Sequence, residues 1–80
     1  MYLITFHTNF DANLFSKKNK EVGKVKMKPV PRQLSSSCGT CVSFEPFDEN
    51  FDVNTISHMA FESVYRVQAG DNYELLLSKE

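Results

Sequence analysis

Apolar and polar positions alternate from the first residues: Tyr2, Ile4 and Phe6 interleave with Leu3, Thr5 and His7, which predicts a strand over residues 1–8. Thr8 stands where a helix N-cap belongs, with Asp11 three positions on in a capping-box-like pair. Phe10, Leu14 and Phe15 follow as an apolar stripe, and Gly23 is placed as a stop, so a helix is predicted over about residues 9–22. Lys24 to Val30 alternates lysine with apolar residues, a half-buried strand that Pro29 and Pro31 end and mark as an edge. A serine-rich loop covers residues 32–39. Val42 and Phe44 against Cys41 and Ser43 then predict a third strand over residues 40–45. Val53, Ile56, Met59 and Ala60 fall at helical spacing and predict a second helix over about residues 49–60, before a fourth strand over residues 61–67.

The order β-α-β-β-α-β predicts a ferredoxin-like α+β sandwich: a four-stranded antiparallel sheet, strands ordered 4-1-3-2, with two helices on one face. The single domain is expected over residues 1–68, and residues 69–80 form a C-terminal tail with room for a short extra strand over 72–77. The other sheet face, carrying Leu3, Tyr65 and Val67, is left open or available for a homodimer. This topology gathers His7, the first helix's N-terminus near Thr8 to Asp11, the loop from Ser35 to Cys41, and His58 on one rim.

Eighty residues hold one small core and no second domain. Hydrophobic residues at 41% and charged residues at 24% are ordinary for a globular chain. No apolar run is long enough for a membrane span, and no signal-peptide pattern opens the chain, so a cytoplasmic protein is expected. Two cysteines cannot supply the disulfide framework of a small secreted domain. The net charge of -1 conceals an asymmetry. Seven basic residues and one acid lie between Lys17 and Arg32, whereas eight acids and two bases lie from Glu45 to Glu80. A basic strip attracts phosphates, nucleic acid or acidic proteins, and equally serves as a solvated face.

Both cysteines lie in Ser35-Ser36-Ser37-Cys38-Gly39-Thr40-Cys41. Two thiols at this spacing form a small-loop disulfide, supply half a zinc site, or leave one thiolate to act alone. The serines and the Gly39 backbone offer donors to a thiolate, and Arg32, His7 and the helix N-terminus offer positive potential. Cys38 is therefore the primary candidate and Cys41 either its resolving partner or a packed strand residue. Zinc would need His7 and His58 as further ligands, drawn from distant segments and lacking the compact second pair of structural sites, so no metal and no cofactor is expected. Nucleotide-cradling glycine motifs are absent. RNA binding is disfavoured, because the third strand puts Gly39 and Cys41 where stacking rings would belong.

The opening Tyr2-Leu3-Ile4-Thr5-Phe6-His7-Thr8, the segment Pro29-Val30-Pro31-Arg32-Gln33-Leu34-Ser35-Ser36-Ser37-Cys38-Gly39 and the closing Val64-Tyr65-Arg66-Val67 resemble a family of short bacterial proteins described as selenium/sulfur carrier-like, over roughly residues 1–68. The resemblance implies a cytoplasmic carrier whose Cys38 holds sulfur or selenium as a persulfide or selenenylsulfide, with protein partners in a relay. It also implies that Pro31, Arg32, Ser35, Ser36, Ser37 and Gly39 shape the loop. The Cys-Pro-x-Pro motif of better-known sulfur-relay carriers is absent, and Cys41 stands where a small or apolar residue is expected in relatives, which opens a disulfide-exchange role. The expected function is thus a sulfur or selenium carrier, or thiol-redox protein, acting through Cys38. The alternative is an interaction module using the basic strand and open sheet face to bind a partner protein or RNA.

Overall fold

The computed structural model describes residues 1–70 and 72–79. Its strands are β1 (Tyr2–Thr5), β2 (Gly23–Pro29), β3 (Thr40–Pro46), β4 (Ser63–Gln68) and β5 (Asn72–Ser78), with one α-helix, α1 (Asn9–Asn19). They form one antiparallel sheet in the order β2-β3-β1-β4-β5. The first four strands stand in 4-1-3-2 order, and β5 adds a fifth outside β4. The expected four-stranded sheet with two helices is therefore corrected to five strands and one α-helix among the described residues. None of the described helices is long and apolar enough to cross a membrane.

α1 starts where its cap chemistry puts it: the Thr8 hydroxyl accepts the Asp11 backbone N–H at 3.1 Å. It ends at Asn19 rather than at residue 22, and it buries Ala12, Phe15 and Asn19. Phe10 and Leu14, expected on the buried stripe, are exposed instead. Gly23 opens β2 and is not the helix stop. A Cβ there would lie 2.5 Å from the Phe44 ring and 2.7 Å from the Glu45 carbonyl oxygen, so close packing of backbone on β3 requires glycine.

The second helix is replaced by a single 3₁₀ turn, Val53–Ile56. Side chains there compete for the backbone. Asp48 accepts the Asn50 N–H and Asp52 the Asn54 N–H, each at 2.9 Å, while Thr55 and Ser57 donate to Asp52 O and Asn54 O. The sequence Val53-Asn54-Thr55-Ile56 is also poor in helix formers. The apolar spacing that predicted a helix still reports burial, since Ile56 is in the core and Phe51, Val53 and Met59 pack against it.

The core lies between the sheet and this helical layer, and consists of Ile4, Phe6, Ala12, Phe15, Val42, Phe44, Ile56, Phe61 and Val64. Phe15 stacks against Phe6 and Phe44 at centroid distances of 5.6 and 5.7 Å, and Phe44 meets Phe51 at 5.4 Å. Each such ring contributes about 1.5–3 kcal/mol by leaving water. β5 belongs to this body: Leu76 and Leu77 pack against the core, and a register shift opposite Val64/Tyr65 turns them inward. On the opposite face Leu3, Thr5 and Cys41 are buried, while Tyr65 and Val67 are half-buried.

Candidate thiol site

The loop between β2 and β3 closes on itself and is then tied to β1 and to the segment before β4. The Val30 N–H donates to Gly39 O at 3.1 Å at its base, and the Leu34 N–H donates to Pro31 O at 3.0 Å in a turn. Gly39 has φ 74° with open space around it, so conformation rather than crowding demands glycine. The Ser36 hydroxyl donates to Phe6 O at 3.0 Å. Ser37 donates its hydroxyl to Glu62 Oε2 at 2.7 Å and its backbone N–H to Glu62 Oε1 at 3.3 Å. Glu62 is itself fixed, its N–H donating to Thr5 O at 2.7 Å and its carbonyl accepting the Lys79 N–H at 2.9 Å.

Glu62 is the residue that sequence reasoning missed. It is 5% exposed, and His7 Nδ1 lies 3.5 Å from its Oε2. Burial pushes the carboxyl up, but the Ser37 hydroxyl and backbone N–H, with His7 and Ser36, outweigh it and hold the group below its ordinary value. Its signal in the chain was a lone acid between Phe61 and Val64, in a segment whose neighbours are all buried.

His7 and the serine loop therefore do meet on one rim, as the topology implied. His58 does not join them: it lines a cavity at the far end of α1 with Lys18 and Val22. Arg32 is exposed and makes no hydrogen bond or ion pair among the described residues. The hydroxyls of Ser36 and Ser37 are committed to Phe6 and Glu62, so they organise the loop rather than face a thiolate. Ser35 and Gly39 are exposed.

The two thiols have different surroundings. Both are free. Cys38 is half-buried on the loop, its S–H directed at Thr40 O 3.5 Å away. Cys41 sits fully buried on β3, opposite Thr5 on one side and Lys28 on the other, with Pro29 O 3.6 Å from its sulfur. Burial pushes the Cys41 thiol up, Lys28 opposes this in part, and Cys38 adds to it. A protonated, enclosed thiol is a poor nucleophile, and a loop thiol at a surface is the one a reagent meets first. No group of three or more histidine, cysteine or acidic side chains among the described residues is arranged to hold a metal ion.

Fold and site together define a small α+β protein whose five-stranded antiparallel sheet presents one accessible cysteine on a braced loop. A family model described as "Putative Se/S carrier protein-like" matches residues 1–66, and the chain belongs to that family. The match ends within β4, so β5 lies beyond it. No curated protein and no solved structure matches the chain.

Proposed function

We propose that this protein carries sulfur or selenium on Cys38. The observation that carries the reading is the inequivalence of the two thiols: Cys38 is reachable on a loop held from both sides, whereas Cys41 is enclosed with its thiol pushed up. Family membership supports the same chemistry. In loading, the Cys38 thiolate attacks the terminal sulfur of a protein cysteine persulfide. A sulfur–sulfur bond forms on Cys38, the donor's sulfur–sulfur bond breaks, and the donor leaves as its thiolate. A selenium-bearing donor transfers selenium by the same displacement. The relay partners are thus a persulfide donor and a nucleophilic acceptor.

Disulfide exchange is the second reading, with Cys41 as resolving thiol attacking the Cys38 sulfur, so that a Cys38–Cys41 bond forms and the sulfur species bound to Cys38 leaves as its thiolate or hydrosulfide. It is less favoured, because Cys41 must first leave its buried position against Thr5 and Pro29 O. Intact mass after incubation with a low-molecular-weight persulfide separates the two readings. One added sulfur on the Cys38 peptide, lost in Cys38→Ser, is the expected result. Loss of two hydrogens linking Cys38 to Cys41 would favour exchange, and an unchanged mass would reject both.

A further inference from the structure

Lys24, Lys26 and Lys28 occupy alternate positions of β2, so they share one face of the sheet. Val25 and Met27, between them, stand opposite Phe44 and Val42 of the core, which places the lysines on the face away from α1. Across the ladder Lys24 meets Glu45, but Lys26 meets Ser43 and Lys28 meets Cys41. Compensation by acid therefore ends as the strand runs toward the thiol loop. Lys26 is exposed and Lys28 half-buried, and neither forms an ion pair among the described residues. Arg32, on the loop itself, extends the row and is equally unpaired. Cys38 adjoins Gly39, whose carbonyl accepts the Val30 N–H at the base of that loop, so the row ends beside the thiol's own loop. Glu62, the acid bonded into the loop, is buried, and its oxygens face Ser37 and His7 rather than the surroundings. β2 is an edge strand, so a second protein reaches this row without displacing any element.

We infer that Cys38 exchanges sulfur with a protein whose own cysteine lies in an acidic surface, which Lys26, Lys28 and Arg32 draw onto the loop. The inference rests on the carrier reading and adds the charge of the partner. It runs against the net charge of the whole chain, -1, which by itself would favour a basic partner. Cysteine-peptide persulfides flanked by glutamates, by glutamines or by lysines are the probes. In each case the terminal sulfur passes to the Cys38 thiolate and the peptide leaves as its thiolate.

Loading of the full chain is followed by intact mass, and each rate is divided by the same peptide's rate with a neutral small thiol. The glutamate peptide is expected to load Cys38 about tenfold faster than the lysine peptide at low salt, with the glutamine peptide between them and the differences closing at high salt. Lys26→Glu combined with Lys28→Glu should reverse the order while leaving the glutamine peptide's rate unchanged. Arg32→Glu, on the loop instead of the strand, is the second variant and should weaken the preference even where the strand variant fails to fold. Equal rates for all the peptides, a preference that persists in the folded variants, or an equal loss with every peptide would each overturn the acidic partner and leave the carrier reading standing. Equal peptide rates together with salt-sensitive binding of a single-stranded oligouridylate would overturn it in favour of nucleic acid. Failure of every peptide to load Cys38 would reject the carrier reading and this inference with it.

Discussion

A cysteine three positions from another experiences a different medium when one is on a loop and the other on a central strand. Cys38 touches solvent and Cys41 does not, so iodoacetamide at neutral pH is expected to label Cys38 alone. Labelling of Cys41 should require unfolding, as peptide mapping by mass spectrometry will show, and comparable native labelling of both would contradict the assignment. Glu62 governs the same loop. Glu62→Ala leaves the Ser37 N–H and hydroxyl without their acceptor and should destabilise the chain by about 1–3 kcal/mol in urea unfolding. The sign of its pH dependence follows from the lowered carboxyl value. The folded state keeps the charge where the unfolded state already takes up a proton, so the contribution is full above the ordinary carboxyl value and is lost as pH falls through the lower folded value. Glu62→Gln should flatten the acid limb of stability measured between about pH 3 and pH 7. Cys41 acts in the opposite range: its stabilisation is full below its ordinary value near 9.0 and declines as pH rises through the raised folded value.

Among elements, β2 shows how one pattern serves two purposes. Lys24, Lys26 and Lys28 alternate along it, and β2 is an edge of the sheet. Charged side chains on an edge keep its unpaired backbone from adding another strand, which gives these three lysines a role that needs no partner. Replacing all three with threonine should raise self-association measured by light scattering, and an unchanged scattering signal would return these lysines to a docking role. The start of the same strand rests on Gly23. Gly23→Ala forces a Cβ into the Phe44 ring and the β3 backbone, and should lower stability by about 1–3 kcal/mol in urea unfolding. The Asp48 to Met59 segment is the element whose conformation differs most from its pattern, because local acceptors at Asp48 and Asp52 take the backbone donors a helix would need.

For the whole molecule, β5 is the addition that lies beyond the family match and yet completes the body. It pairs with β4 over its length, sends Leu76 and Leu77 to the core, and extends into Lys79, whose ammonium meets Met59 O and lies 4.1 Å from the Phe61 ring centroid. The Lys79 N–H also holds the backbone of Glu62, so the C-terminal strand reaches the thiol loop through one residue. A chain ending at Gly70 is therefore expected to unfold at lower urea than the full chain and to react faster at Cys38 with alkylating reagent. Equal stability and equal reactivity would make residues 71–80 a dispensable tail.

What the chain dictates by itself is whatever depends on near neighbours. Period-two alternation in Tyr2 to Phe6 and Lys24 to Val30, the Thr8 cap, and the Ser35 to Gly39 loop that carries Cys38 are all legible, since each rests on chain geometry within a few residues. The family resemblance of that loop is legible for the same reason. Only the tertiary structure decides which apolar face is buried, so Phe10 and Leu14 turn outward while Asn19 turns inward. It alone brings Glu62 within reach of Ser37 across 25 positions, and it alone sends His58 to the far end of α1. It also gives two cysteines three positions apart different surroundings, one half-buried on the loop and the other enclosed on β3. Burial and long-range pairing are properties of the assembled sheet and helix, and no local pattern in the chain encodes which distant carboxylate or carbonyl a side chain will meet.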